Sequence, residues 1–113
     1  MTNKTKLVDE LQLHPSIQRM ARNMQYKLDK NANKKGWPED ENGQRGWMND
    51  ACSIEFLQRK LLEEVSELFD ALEGRGNVAL EAADVANIAM MLADKFEAGA
   101  CSERVQDKER KND

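Results

Sequence analysis

The chain has 113 residues, a formal charge of -4 and a pI near 5.1. This length predicts one domain over residues 1–113, and 34% charged residues beside 40% hydrophobic ones are typical of a small globule rather than a disordered chain. The acidic balance excludes a protein that coats nucleic acid, because phosphate backbones attract basic surfaces.

The longest apolar run extends only from Ile88 to Ala93, so neither a membrane span nor a secretory signal is expected. Cys52 and Cys101 lie far apart and form no metal-type pair, which favours a cytoplasmic protein with reduced thiols. The single histidine, His14, excludes a multi-histidine zinc site. Chemistry must therefore depend mainly on carboxylates, lysines, amides or the backbone.

The composition is rich in Ala, Leu, Met, Glu and Lys, and it predicts an all-α fold. Apolar spacings of three and four predict helices at about 15–33, 50–73 and 77–98. Asn49 or Asp50 is the expected cap of the second helix, Asn77 caps the third and Gly99 ends it. A polar tail over 102–113 completes the chain.

Residues 36–50, GWPEDENGQRGWMND, break the helical pattern and contain both tryptophans. A connection of this length is long for a small domain, and such loops are often functional. Trp37 and Trp47 either cover the end of the helical bundle or form a wall of a base-binding pocket.

Two pairs of acids lie at the margins of apolar helical faces. Glu64 and Glu67, three residues apart, share a side of the second helix that borders its leucine-rich face. On the third helix, Glu81 projects within the apolar stripe and Asp84 lies to one side of it. An ionised carboxylate facing a core is costly unless a cation meets it, although Glu near a helix N-terminus is also favourable by itself.

A short turn makes these two helices antiparallel neighbours, so the four carboxylates should face one another. They would repel strongly without a cation. Mg²⁺, with Mn²⁺ as the alternative, fits because only oxygen ligands are expected there.

The third helix is apolar nearly all round between Ala82 and Ala93. Such a helix must be covered on most sides, and three helices from one short chain can hardly do so. We therefore expect self-association as a homodimer, or as a dimer of dimers (a homotetramer), with an antiparallel helical bundle completed by the second chain.

The acidic residues also carry a family resemblance. Residues 60–67, KLLEEVSE, and residues 81–87, EAADVAN, resemble the paired acidic motifs of MazG-like nucleoside triphosphate pyrophosphohydrolases. The resemblance covers roughly residues 56–97 and implies a four-helix core formed by dimerisation. It also implies hydrolysis of (deoxy)nucleoside triphosphates to a monophosphate and pyrophosphate, for example in nucleotide-pool cleaning.

Roles follow from the same resemblance. Metal ligands would be Glu64, Glu67, Glu81 and Asp84. The base that accepts a proton from water would be Glu64, with Glu63 as second choice.

The positions of the residues add candidate substrate-binding groups, because phosphate charge needs positive or donor groups. Lys60 shares the face of Glu64 and Glu67, Lys95 lies on the side of Asp84, and Asn87 could donate a hydrogen bond to phosphate or sugar, as a polar residue there does in similar proteins. Trp37 and Trp47 are candidates for stacking on the base, and ordinary ion pairing would explain both lysines equally well.

Two other interpretations fit parts of the pattern. A carboxylate-bridged di-iron bundle also gathers glutamates, but it normally uses Glu-x-x-His pairs, and no histidine follows either acid pair here. The second is a non-enzymatic helical dimer that acts as an assembly or regulatory subunit, with acids that merely keep it soluble. That alternative gives no reason for Glu81 to lie on an apolar face.

Overall fold

The structure, a computed structural model, describes residues 12–103, with side chains described as far as residue 98. This part contains three long helices, α1 (Pro15–Lys30), α2 (Ile54–Asp70) and α3 (Val78–Glu103), and no strand. The predicted all-α class is confirmed. Most of the predicted polar tail lies outside the described residues.

Side-chain caps fix where the first two helices begin. Pro15 occupies the first turn of α1, and His14 Nδ1 accepts a hydrogen bond from the Ser16 amide at 3.0 Å. Ser53 caps α2 through a 3.0 Å bond from the Phe56 amide. The helix therefore starts at Ile54, later than predicted. The expected cap Asn49 instead accepts from the Ala51 amide, in the turn that precedes α2.

Glycine and asparagine organise the turn between α2 and α3. A π-helical segment, Ala71–Arg75, follows α2, and Gly74 within it adopts a positive φ of 95° that favours glycine. Asn77 caps α3 as predicted, because its Oδ1 accepts from the Leu80 amide at 3.0 Å. The prediction for Gly99 is wrong: α3 continues through it to Glu103. A helical glycine costs only about 1 kcal/mol relative to alanine, so neighbouring residues can carry a helix through it.

Helix α3 is the central element, since both α1 and α2 pack against it. The buried apolar cluster is small and consists of Cys52, Leu57, Ile88 and Met91. Part of the apolar face predicted for α2 remains uncovered within the described chain: Leu62, Phe69 and the following Leu72 are exposed. No helix among the described residues is long and apolar enough to cross a membrane.

The segment between α1 and α2 folds back onto the helices. Trp37 packs edge-on against Phe56, with ring centroids 5.0 Å apart. Trp47 donates from Nε1 to Asp94 Oδ2 at 2.9 Å, which joins the loop to α3. Lys95 adds bonds to the Trp47 and Asn49 carbonyl oxygens at 2.8 and 3.2 Å. These contacts hold one side of the cavity described below.

Candidate metal centre

Glu64 lies in the buried seam of α2. Leu57, Glu64 and Ala71 are seven residues apart and are the buried residues of α2 and its π-helical extension. Because seven residues make almost two turns, all three project to the same side. A glutamate thus lies between two apolar residues of one seam, with only 8% of its surface exposed.

Glu64 meets two acids of α3 there. One carboxylate oxygen each from Glu64, Glu81 and Asp84 lie within 4.8 Å of one another. Glu64 Oε1 and Glu81 Oε1 are buried and accept no hydrogen bond from any residue that the structure describes. Buried acceptors without donors are unfavourable, and a cation bound between them would satisfy both.

The environment shifts the protonation of two of these groups. Burial, reinforced by the charges of Glu67 and Asp84, raises the pKa of Glu64 from its ordinary 4.5 to about 7. Burial, followed by the charges of Asp84 and Glu67, also raises the pKa of Glu81. Without a metal ion, the cluster therefore favours retaining protons.

Lys27 of α1 supplies the nearest positive charge. Its Nζ lies 3.2 Å from Asp84 Oδ2, and both side chains are only 14% exposed. Lys27 also lowers the pKa of Glu81 by its charge, against the larger effects that raise it. This lysine was not singled out by the sequence analysis.

The other two predicted acids lie at the edge of this group. Glu67 is exposed, and its charge helps to raise the pKa of both Glu64 and Glu81, so it lies beside them. Glu63 projects outward and forms a 3.2 Å ion pair with Lys60. Of the predicted acids, the structure thus brings Glu64, Glu81 and Asp84 together, with Glu67 beside them and Glu63 outside.

The cluster borders a cavity of about 200 Å³ between α1, residues 36–50 (the tryptophan loop, which carries Trp37 and Trp47) and the α2–α3 pair. Glu64 and Asp84 form part of its wall, and both tryptophans line it. Its cationic lining residues are Lys27, Lys34, Arg45 and Lys60. The cavity therefore combines an acidic wall, aromatic surfaces and several cations, which suits a ligand with an anionic part and a flat ring.

Asn87 presents a buried amide at the same cavity. Its Nδ2 donates to the Met24 carbonyl oxygen at 3.1 Å, while its Oδ1 is buried and accepts nothing from the described residues. The amide nitrogen is thus engaged with α1 and the oxygen remains as an acceptor. The oxygen can accept a hydrogen bond from a ligand hydroxyl or amine, and one of the two N–H groups of Nδ2 remains for the donation to phosphate or sugar that we expect of Asn87.

The remaining predicted binding residues fall into two groups. Trp37, Trp47 and Lys60 line the cavity, and the Lys60 ammonium lies 5.8 Å from the Trp37 ring centroid. Lys95 is not among the lining residues, because its ammonium is bonded to the carbonyl oxygens of Trp47 and Asn49. Its place is behind the loop, where it fixes the position of Trp47.

Sequence reasoning did not identify Lys27, Lys34, Arg45 and Asn31 as cavity residues. A signal existed for Lys27, which follows Met24 by three residues on the apolar side of α1. Arg45 and Lys34 come from the loop region, where no helical periodicity predicts which way a side chain points. Arg45 is held there by Glu39 and by the Lys34 carbonyl oxygen.

Comparison with known proteins gives no further assignment: no protein-family model, curated protein or solved structure matches the chain.

Proposed function

We propose that this protein is a Mg²⁺-dependent pyrophosphohydrolase that cleaves (deoxy)nucleoside triphosphates between the α and β phosphates. The products would be a nucleoside monophosphate and pyrophosphate. One observation carries the proposal: a carboxylate cluster with two unsatisfied buried oxygens borders a cavity lined by cations and tryptophans. The MazG-like pattern of the acidic motifs supports the same activity.

The donor set fits a hard divalent cation. Glu64, Glu81 and Asp84 offer oxygen ligands only. Glu67, whose charge acts on both glutamates, is the fourth ligand that the resemblance implies. Mn²⁺ accepts the same ligands. When bound, such an ion neutralises phosphate charge and lowers the pKa of a coordinated water.

Glu64 is the proposed proton acceptor for the attacking water. Its buried Oε1 accepts no hydrogen bond from the described residues and lies beside the other two carboxylates, so it is available to accept a proton from water. Glu63 is a weaker candidate, because it is directed away from the cluster and paired with Lys60. In this assignment Glu64 both helps to hold the ion and receives the proton.

The cations and aromatic rings of the cavity would orient the nucleotide. Lys34 lines the cavity and forms no ion pair within the described residues, so phosphate can approach its ammonium, whose charge also acts on Glu64. Lys60 and Arg45 add positive charge near the same wall, and such charge stabilises developing negative charge on phosphate oxygens. Trp37 and Trp47 provide flat surfaces for the base.

We further propose that the active form is a homodimer or a dimer of dimers, in which a second copy completes a four-helix core. The support is the exposed apolar surface: Leu62 and Phe69 on α2 and Phe96 on α3 are 72%, 59% and 62% exposed. A chain with so small a buried cluster gains considerably by covering them.

The test is pyrophosphate release from a panel of common NTPs and dNTPs, with and without Mg²⁺. We expect Mg²⁺-dependent release by the wild type and at least about a hundredfold loss for Asp84→Asn, which removes a ligand charge while keeping the shape. Glu73→Gln is the matched control, since Glu73 is exposed and paired with Arg75. It should retain full activity.

The same panel separates the enzyme from a non-enzymatic helical dimer. An assembly subunit would release no pyrophosphate from any nucleotide, and its melting temperature would not respond to Mg²⁺. Turnover that survives Asp84→Asn would refute the metal assignment even if the protein proved to be a hydrolase. Circular dichroism of each variant establishes that helical content is retained.

A further inference from the structure

The Lys27–Asp84 ion pair places a cationic side chain inside the carboxylate cluster. Asp84 belongs to the group whose oxygens lie within 4.8 Å of one another, and the Lys27 ammonium is 3.2 Å from one of its oxygens. The pair is largely buried, so solvent screens it little. An ion that binds all three carboxylates must therefore compete with this ammonium for Asp84.

We propose that Lys27 is a resident counter-ion, which a divalent cation displaces from Asp84 into the adjoining cavity. The inference rests on the proposed metal site but concerns a residue outside the acidic motifs. Lys27 is a positioning residue in this scheme, because it controls when Asp84 becomes available to the ion.

Charge explains why such a counter-ion is needed. Glu67 and Asp84 both act on Glu64 by like charge, and the cations that act on it in the opposite sense are Lys60 and Lys34. Lys60 is itself paired with Glu63. Lys27 is the lysine bonded directly to a member of the cluster, so it limits carboxylate repulsion when the metal is absent.

The cavity gives the displaced side chain a place to go. Lys27 lines the cavity together with Asn31 and Lys34, and the flexible four-carbon stem of a lysine allows its ammonium to reorient. Once released from Asp84, the ammonium would still border the space where an anionic ligand binds. Cation binding would then both organise the carboxylates and increase the free positive charge of the cavity.

Calorimetric titration with Mg²⁺ alone, without nucleotide, tests the inference. We expect Lys27→Met to bind Mg²⁺ about tenfold more tightly than the wild type, since the ion no longer displaces a largely buried ion pair. Lys27→Arg keeps the competing charge and should bind like the wild type. Lys34→Met is the matched control, because Lys34 lines the same cavity but forms no ion pair within the described residues.

The outcomes separate this inference from the proposed function. If Lys27→Met and Lys34→Met change Mg²⁺ affinity equally, only net charge matters and the counter-ion role is refuted while the metal site stands. If neither the wild type nor any variant binds Mg²⁺, the metal site and the counter-ion role both fail. Tighter binding confined to Lys27→Met supports the inference.

A measurement on the unaltered protein guards against a variant that folds poorly. Lysine acetylation, mapped by mass spectrometry, should become several-fold faster at Lys27 when Mg²⁺ is added, because its ammonium leaves the buried pair. Lys30, which is exposed and lies 5.8 Å from the Tyr26 ring centroid, provides the internal reference. An unchanged ratio of Lys27 to Lys30 acetylation under Mg²⁺ saturation would overturn the inference.

Discussion

Glu64 occupies a position where a leucine would stabilise the fold more. It lies in the same seam as Leu57 and Ala71, and its Oε1 accepts no hydrogen bond from the described residues. A buried ionised carboxylate in such a place lowers stability. A residue that weakens the packing while facing two other carboxylates and a cavity supports the proposed ion and ligand binding.

The pH dependence of stability follows from this burial. The folded-state pKa of Glu64 is about 7, above its ordinary 4.5, so the folded form retains the proton longer than the unfolded form. Its contribution to stability is therefore complete below about pH 4.5 and is lost as pH rises through about 7. We expect metal-free Glu64→Gln to exceed the wild type by up to about 3 kcal/mol at pH 8, with little difference at pH 4.

Urea denaturation of both proteins between pH 4 and pH 8 measures this difference. The comparison with glutamine isolates Glu64 from other groups, such as Asp40, whose pKa is lowered by hydrogen bonds from the Gln44 backbone and the Asn49 side chain. Added Mg²⁺ should narrow the gap at pH 8, because only the wild type gains from the ion. If the difference in stability between the two proteins does not change with pH, the pKa of Glu64 is not raised in the folded protein.

Among the residues of the candidate site, the sequence predicts the three acids better than it predicts Lys27, the cation paired with them. The spacing of Glu64, Glu81 and Asp84 on two antiparallel helices is sufficient to bring them together, as observed. Lys27 belongs to α1, outside the two helices that carry the acids, and its pairing with Asp84 depends on how α1 packs across α3. Likewise, the sequence does not predict that the Asn87 amide donates to the Met24 carbonyl oxygen while its own oxygen is buried without a donor.

At the level of elements, α3 fastens the tryptophan loop through two neighbouring side chains. Asp94 accepts from the Trp47 indole, and Lys95 donates to the backbone carbonyls of Trp47 and Asn49. The helix that carries Glu81 and Asp84 therefore also fixes the opposite wall of the cavity. A change at the far end of α3 should reach the ligand site through the loop.

Replacing Lys95 with methionine tests this connection. The substitution keeps most of the aliphatic stem but removes both donated hydrogen bonds, at a cost of roughly 1–3 kcal/mol. We expect faster hydrogen exchange over residues 46–51 and a several-fold increase in KM, with a smaller change in kcat. Hydrogen exchange read by mass spectrometry and steady-state kinetics provide the two measurements.

The matched control for this prediction is Lys30→Met on α1, which removes an exposed lysine from outside the loop. It should alter neither the exchange of residues 46–51 nor KM. An equal loss of kcat and kcat/KM in Lys95→Met, with the loop protected as before, would contradict a positioning role. That result would place the Lys95 ammonium at the reacting phosphate instead.

The elements themselves were predictable where local chemistry determines them. Pro15 at the start of α1, Asn77 before α3 and glycines after α2 all act through their immediate neighbours. Ser53, not Asn49 or Asp50, begins α2 because Asn49 is used in the preceding turn. Residues 36–50 could be predicted only as a loop, since their positions depend on contacts with distant helices.

At the level of the whole molecule, the described chain leaves two helical faces uncovered. Leu62 and Phe69 are seven residues apart and share one side of α2, while Ala89, Ala93 and Phe96 share one side of α3. An exposed apolar face on each of two adjacent helices is typical of an association surface. The proposed metal ligands come from these same two helices, so covering their apolar faces would also stabilise the proposed site.

The double substitution Leu62→Ser with Phe69→Ser tests whether these faces bind a second copy. We expect the wild type to have at least twice the chain mass of 12.9 kDa in light scattering at micromolar concentration, and the variant to be monomeric. The double variant should also lose activity as it loses association, because a second copy would support the helices that carry the carboxylates. Ile17→Ser is the matched control, since Ile17 is also exposed but lies on α1. A wild type that remains monomeric, or a double variant that still associates, would assign these apolar faces to something other than self-association.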